Sequence, residues 1–225
     1  MKRIGRHYQQ GAALIVTMIV LIVVTVIGVA ALRLGLTNLA VATNAQVVTL
    51  LFQSADSGTL AVEKSVQALI LANPTQPTGL LKTAMDNAGK DMADTCMLAS
   101  NSFSTGRCDV TSTASFMSGR AAVAVQSSIF ALAGADGTTP MQVCPDGTDN
   151  GPSGLLCAYQ LKVYSTAVLP AMGSAGTTTI NGCLGKTSDN TQQDATITTL
   201  SDCLSQAGAA YATTVQEYGY GYKGK

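Results

Sequence analysis

The chain lacks tryptophan, has a single histidine, His7, and contains none of the short motifs that mark common enzyme classes. Ser-His-Asp and Cys-His catalysis need a histidine beside the nucleophile, and His7 lies in a short basic leader ahead of a long apolar run. No G-x-S-x-G, Walker or dinucleotide-binding motif occurs. Acidic residues are scattered, and Asp91 and Asp94 form the only close pair outside positions 146–149. We therefore expect no enzymatic activity, no cofactor and no small-molecule substrate.

Charge is also scarce, since Lys, Arg, Asp and Glu make up 12% of the residues and the formal net charge is zero. Apart from Lys2, Arg3 and Arg6 the chain has no basic cluster, so a nucleic-acid-binding surface is not expected. No Cys-x-x-Cys pair is present, and the only histidine is in the leader. A zinc site is therefore disfavoured, and we predict no metal ligands.

What the chain does have is an uncharged apolar run, AALIVTMIVLIVVTVIGVAAL, from Ala12 to Leu32. A helix of about 20 such residues crosses a bilayer core of roughly 30 Å. Three basic residues precede the run and only Arg33 follows it closely, which predicts a cytoplasmic N-terminus. We expect a single-pass inner-membrane protein whose remaining chain lies in the periplasm.

The position of the polar-to-apolar junction argues against an ordinary secretory signal peptide. Such a peptide is cut after its apolar region, at small residues, but the helical pattern continues beyond Ala30 and Ala31. The abrupt junction lies instead between Gly11 and Ala12, before the apolar run. Cleavage there removes the charged leader and keeps the membrane helix.

This arrangement resembles the type IV prepilin signal, carried here by Gln9-Gln10-Gly11 and the following Ala12-Ala13-Leu14-Ile15-Val16. Arg33 and the stem from Thr37 to Ser57 extend the likeness to the PilX-type minor pilins, over about the first sixty residues. The resemblance implies cleavage by prepilin peptidase after Gly11, methylation of the new N-terminus at Ala12, and a pilin architecture. It also implies other minor pilins and the major pilin as partners.

The residue at the fifth position after the junction refines the resemblance. Major pilins carry a glutamate there, which is thought to neutralise the N-terminal amine of a neighbouring subunit in the apolar filament core, where an unpaired charge is costly. This chain has Val16. PilX-type pilins and the K-type pseudopilins of type II secretion share this lack, which implies a priming complex at the filament tip.

Six cysteines, all in the C-terminal two thirds, predict a disulfide framework in an oxidising compartment. They allow fifteen connectivities. We favour the sequential pairs Cys96–Cys108, Cys144–Cys157 and Cys183–Cys203, because each closes a short loop rich in Gly, Asp or Ser.

Helical spacing of apolar residues continues past Arg33 until Asn73-Pro74, where proline disfavours helix at the preceding residue. A helix at 80–87 and a loop region at 89–119 are expected next. Strand patterns follow at 121–133, 156–168 and 210–222. The predicted fold is α+β and pilin-like: a long N-terminal helix, membrane-spanning in its first half, packed on an antiparallel headpiece with disulfide-closed loops.

The junction, the apolar run and the end of the helix before proline together divide the chain into four predicted segments. They are a prepilin leader (1–11), a transmembrane and filament-core helix (12–33), its amphipathic continuation (34–72) and a periplasmic headpiece (73–225). Val16, Gly28 and Arg33 are the predicted filament-packing residues. For Gly28 and Gly35, close helix packing in lipid is favoured over a designed point of melting in the filament.

Two headpiece motifs allow two interpretations each. The Asp146–Gly151 loop offers oxygen ligands for calcium but lacks the spacing and terminal Glu of an EF-hand, so a hydrated hairpin turn is the simpler interpretation. Tyr218, Tyr220 and Tyr222 alternate with glycines and place three rings on one strand face. They could contact a partner or glycan, or pack across the sheet, which is more ordinary.

The sequence therefore predicts a minor pilin that helps to initiate pilus assembly, first in the inner membrane and then at the extracellular tip, with expected roles in adhesion and twitching motility. Two alternatives stay open. One is a K-like pseudopilin of type II secretion, and the other is an uncleaved, signal-anchored periplasmic binding or adhesion protein.

Overall fold

A computed structural model describes residues 10–72, 78–89, 93–100, 102–117, 122–134, 136–137, 139–143, 156–188 and 198–223. The chain divides into two compact units, Met1–Val47 and Val48–Lys225. The first unit is the N-terminal part of one long helix. The second contains the rest of that helix and the headpiece.

The long helix, α1 (Gln10–Ala72), contains no proline. Its last residue immediately precedes Asn73-Pro74, as the sequence predicts, because proline restricts the residue before it to extended conformations. Within the second unit, one face of α1 is buried from Leu51 onward, at spacings of three and four residues. Its buried members are Leu51, Ser54, Ala55, Gly58, Thr59, Val62 and Val66.

Beyond α1, the described part of the headpiece contains three short α-helices and six strands. In chain order they are α2 (Gly79–Asp86), β1 (Ala93–Met97), β2 (Phe103–Thr105), β3 (Ala124–Ala131), β4 (Gln142–Val143), β5 (Leu156–Gly173), α3 (Thr177–Leu184), α4 (Leu200–Ala207) and β6 (Ala209–Lys223).

The strands form one antiparallel sheet in the order β2-β1-β3-β5-β6. The short β4 pairs with the start of β5, along the edge that β3 also uses. The strands β5 and β6 pair from Leu156↔Lys223 to Leu169↔Ala210, and the register shifts before Gly173↔Ala209. This two-stranded ribbon is the longest part of the sheet. The outer strands of the whole sheet are β2 and β6.

One face of the sheet is covered by α1 and α2. This first core joins Val62 and Val66 of α1 to Leu81 and Met85 of α2. The sheet contributes alternate residues, which are Ala93, Ile129, Ala131, Leu161, Val163 and Tyr220. The period of two in the strands therefore delivers one set of side chains to this face.

The opposite face carries a second core beneath α3 and α4. Ile180 and Leu184 of α3 and Leu200 and Leu204 of α4 are all buried there. They pack with Ala124 and Val168 from the sheet and with residues of the segment 108–116. The headpiece thus has three layers, with the sheet between two pairs of helices.

Both ends of α4 are set by its flanking residues. Thr199 accepts a hydrogen bond from the Asp202 amide (3.2 Å), and the Asp202 side chain bonds back to the Thr199 amide, which forms a capping box. Gly208 follows the helix with φ of 70° and so adopts the left-handed conformation that favours glycine. The chain can then enter β6 directly.

Several expectations are confirmed. The long helix, the short helix at 80–87 and the three predicted strands correspond to α1, α2, β3, β5 and β6, and the fold is α+β and pilin-like. The expectation that 89–119 is a loop region is wrong, since β1 and β2 lie within it. The second helical layer, α3 and α4, was not expected. Short amphipathic segments rich in Thr, Ser and Gly give little helical signal in a sequence.

Candidate assembly surface

The first unit presents an apolar helix in which none of the side chains described, from Ala13 to Val47, is buried. Every residue from Ala13 to Gln46 is exposed, and large aliphatic side chains such as Leu21 (67%) and Leu32 (69%) are largely open. Leaving such surface in water costs about 25 cal/mol per Å². The described residues include one helix that is long and apolar enough to cross a membrane. This surface therefore requires a cover from outside the chain, which lipid or other apolar helices can provide.

The hydroxyl groups within this apolar stretch are satisfied inside the helix. Thr17 donates to the Leu14 carbonyl at 2.9 Å, and Thr25 donates to the Ile22 carbonyl at 2.8 Å. In hydrocarbon an unpaired hydroxyl is unfavourable, and back-bonding to the preceding turn removes that cost. The stretch is thus compatible with lipid in its backbone and in its side chains.

The predicted junction and packing residues all lie on α1. Gly11 and Ala12 are in its first turn, while the preceding part of the leader lies outside the described residues. Val16 is 58% exposed, and its aliphatic side chain contributes to the apolar surface of the helix. Arg33 is exposed and is the first charged residue after the apolar run.

Gly28 and Gly35 of the first unit make no close contact within the described part of the chain. A Cβ atom built on Gly28 or Gly35 meets nothing within 4 Å. In the second unit, by contrast, a Cβ on Gly58 would lie 2.6 Å from Val125 Cγ1 and 3.2 Å from the hydroxyls of Ser127 and Ser165. Gly58 is therefore required for the close approach of helix and sheet, whereas Gly28 and Gly35 leave space for groups outside the chain.

Gly58 stands over a line of hydroxyl side chains that crosses the sheet at one register. This hydroxyl row consists of Thr105, Thr95, Ser127, Ser165 and Thr214, one residue from each of five strands. Ser127 and Ser165 are bonded to each other at 2.7 Å, and Thr59 of α1 bonds to Thr214 at 3.1 Å. Small, paired hydroxyls let the helix approach closely without leaving buried polar groups unsatisfied. Sequence analysis missed this row, because its members become neighbours only through strand register.

Two of the expected disulfides are present. Cys96–Cys108 joins β1 to the loop after β2 with a Cα–Cα distance of 4.9 Å, and Cys183–Cys203 joins α3 to α4 at 5.3 Å. The third expected pair, Cys144–Cys157, is not among the described side chains.

A buried glutamine supports the first disulfide loop. Gln126 of β3 accepts a hydrogen bond from the Cys108 amide at 3.0 Å and donates to the Leu184 carbonyl at 2.9 Å. Its side chain thereby connects the disulfide loop to the end of α3. Asn181 adds a second link, because it accepts from the Val110 amide at 2.8 Å.

The acidic groups of the described headpiece serve structural contacts. Asp94 accepts from Ser128 at 2.6 Å and pairs with Arg107 at 2.9 Å. Hydrogen bonds from Thr111 lower the pKa of Asp109, helped by a bond from Asn181. The described residues contain no group of three or more His, Cys, Asp or Glu able to hold a metal. The loop 146–151 and Asp91 lie outside the described residues.

The tyrosines of β6 are divided between core and surface. Tyr220 is 7% exposed and belongs to the first core, whereas Tyr218 is partly exposed and stacks on it with ring centroids 5.7 Å apart. Burial raises the pKa of Tyr218, and the nearby carboxylates of Glu63 and Asp56 raise it further. The side chain of Tyr222 lies outside the described residues. Of the two interpretations, packing is therefore confirmed for Tyr220.

The family to which this helix corresponds can now be stated. The sequence model of the PilX N-terminal family matches residues 10–59. This match supports a PilX-type minor pilin of a type IV pilus. No curated protein and no solved structure matches the chain.

The matched segment has clear limits in the structure. It begins with the first residue of α1 and ends at Thr59, where the helix contacts the hydroxyl row. It thus covers the exposed apolar helix and the first two turns of the buried face. Most of the headpiece lies beyond the match.

Proposed function

We propose that this minor pilin acts in the tip or priming complex that starts pilus assembly. The observation that carries the proposal is the exposed apolar helix with Val16 in place of the carboxylate. A buried N-terminal amine without a counter-charge is costly in an apolar filament core, by several kcal/mol. A subunit with valine cannot neutralise the amine of a neighbour ahead of it. It fits where no such neighbour exists, which is the tip.

The proposed route begins with insertion into the inner membrane, with the N-terminus in the cytoplasm and the headpiece in the periplasm. Prepilin peptidase then cuts between Gly11 and Ala12, and the new N-terminus is methylated. Lateral association in lipid follows through β-branched side chains and the space beside Gly28, since apolar burial alone gives no preference among helices there. Throughout, the chain acts as an assembly component and not as a catalyst.

The tip position is tested by the variant Val16→Glu. If the missing carboxylate confines the subunit to the tip, restoring it lets the subunit enter the shaft, and its amount per pilus rises towards that of a major pilin. Quantitative immunoblotting of sheared pili measures this, with Val20→Glu as the matched control one turn further along α1. An unchanged, low amount of Val16→Glu in processed form would contradict the mechanism.

The processing step is tested separately by Gly11→Val. Without the small residue before the junction, the peptidase cannot cut, so the full-length mass is retained and the protein stays in the membrane. Normal cleavage of this variant would contradict the assignment of the junction.

A further inference from the structure

The two outer strands of the headpiece sheet differ in how they are protected. β2 has only three residues and is followed by Gly106 and by Arg107, which pairs with Asp94. Short length and charge are ordinary means of preventing an outer strand from pairing with another chain. β6 at the other edge has 15 residues and, among the described residues, pairs only with β5.

β6 has few of the usual means of protection over its central part. It contains no proline, and its only charged residues are Glu217 and Lys223. Glu217 is neutralised by Lys162 of β5 at 3.1 Å. Val215, Gln216 and Glu217 are three consecutive exposed residues, so both faces of the strand are uncovered there. Such an edge presents main-chain donors and acceptors to a second strand.

The surface of α1 beside β6 is apolar and acidic. Phe52 and Leu60 are 51% and 47% exposed, and Asp56 and Glu63 lie on the same side of the helix at spacings of four and three residues. We call these four residues the α1 patch.

The contacts of the two elements show that the α1 patch borders β6. Thr59 bonds to Thr214, and both carboxylates act on the Tyr218 hydroxyl. Neither Asp56 nor Glu63 forms an ion pair within the described part of the chain. The Glu63 carboxylate does accept a hydrogen bond from the neutral Gln67 side chain at 3.2 Å, which leaves its charge in place. Two carboxylates without an ion-pair partner, flanked by exposed apolar groups, are complementary to a cationic side chain with an apolar neighbour.

We propose that the outer edge of β6 receives an extended strand from a different pilin subunit, with a Lys or Arg of that strand facing Asp56 and Glu63. Main-chain hydrogen bonds would supply the affinity, and the α1 patch would select the partner by charge. The identity of the partner as a pilin rests on the proposed function.

The α1 patch also explains why the partner is not a second copy of this chain. Pairing of two β6 strands by a twofold axis makes an isologous interface, in which the same patch is brought in from both sides. The carboxylates of one α1 patch would then find no cationic side chain in the α1 patch of the second copy. Like charges brought together in this way oppose association.

The test uses the full-length chain in cells that make the remaining pilus proteins. A photo-crosslinking residue, p-benzoylphenylalanine, replaces Gln216 in β6 or, as a control, the exposed Thr178 of α3. We expect a cross-link from position 216 to a peptide of another pilin that contains Lys or Arg, at least fivefold above that from position 178. Equal yields from the two positions, or a cross-link to a second copy of the chain, would overturn the proposal.

Charge reversal tests the role of the α1 patch. Asp56→Lys combined with Glu63→Lys should lower the cross-link yield from position 216 at least fivefold, whereas Asp86→Lys on α2 should leave it unchanged. An undiminished yield in the double variant would overturn the partner's proposed charge. The N-terminus is sequenced in each sample. If position 216 cross-links to another pilin but the chain still starts at Met1, the result would support pairing at the β6 edge and contradict the proposed cleavage of the leader.

Discussion

The exposed helix of residues 13–46 and the headpiece that begins near Val48 use apolar residues in opposite ways. In the headpiece, Leu161, Ile180 and Leu204 are fully buried in cores that the chain makes for itself. In the helix, aliphatic side chains of the same kinds are more than half exposed. The difference shows that the headpiece sequence specifies a fold, while the apolar surface of the helix needs a cover from outside the chain.

The strongest test of this contrast removes a large side chain from each region. Leu204→Ala should lower the free energy of unfolding of the headpiece by about 3 kcal/mol, because it leaves a cavity in the second core. Leu21→Ala should leave headpiece unfolding unchanged. Urea denaturation of the full-length chain in detergent, followed by tyrosine fluorescence, measures both. A loss of more than about 1 kcal/mol for Leu21→Ala would show that the helix is coupled to the core.

Removing the disulfide between α3 and α4 should have a nearly equal effect. The cysteines are 20 residues apart, and by the chain-entropy estimate a loop of this size stabilises by about 3 kcal/mol. The double variant Cys183→Ser and Cys203→Ser should therefore melt at a lower temperature in a thermal scan of the full-length chain. Ser205→Ala at an exposed position of the same helix leaves the bond intact and is the control. An unchanged melting temperature in the double variant would contradict a structural role for this bond.

A smaller effect is expected from adding one methyl group to a glycine of α1. Gly58→Ala places a carbon against Val125, and such overpacking costs about 1–3 kcal/mol, offset by about 1 kcal/mol of helix propensity. Gly28→Ala and Gly35→Ala, in the same helix, meet nothing and should leave headpiece stability unchanged. Chemical denaturation separates the three variants. Equal stability of all three would argue against the close approach at the hydroxyl row.

The smallest predicted change concerns the start of α4. Thr199→Ala removes the capping box and should lower headpiece stability by about 1 kcal/mol. Thr178→Ala on α3 is the matched control, since that helix has no side-chain cap at its start. Hydrogen exchange of the α4 amides measures the local effect. Exchange that is equally fast in both variants would show that the cap contributes nothing.

The sequence predicts the elements that follow from a strong local period. The long helix and its end before proline, the alternating strand β5 and the two sequential disulfides all depend on residues close together in the chain. The α+β class then follows from their order.

The remaining features depend on contacts between residues far apart in the chain. The local pattern at 89–119 predicts a loop because the short Thr-, Ser- and Cys-containing segments of β1 and β2 become strands only by pairing, β1 with β3 and β2 with β1. The hydroxyl row and the role of Gly58 exist only once five strands are in register. The α1 patch likewise becomes a candidate binding surface only because it lies beside β6, and no local sequence pattern indicates that these two elements are neighbours.

Under the proposed function, prepilin peptidase removes the charged leader and leaves the apolar helix, so that the helix can join other pilin helices. N-terminal sequencing and intact mass analysis of the chain purified from membranes test it directly. We expect a chain that starts at Ala12 with a methylated amine. A chain that starts at Met1, or one cut beyond Leu32, would contradict it.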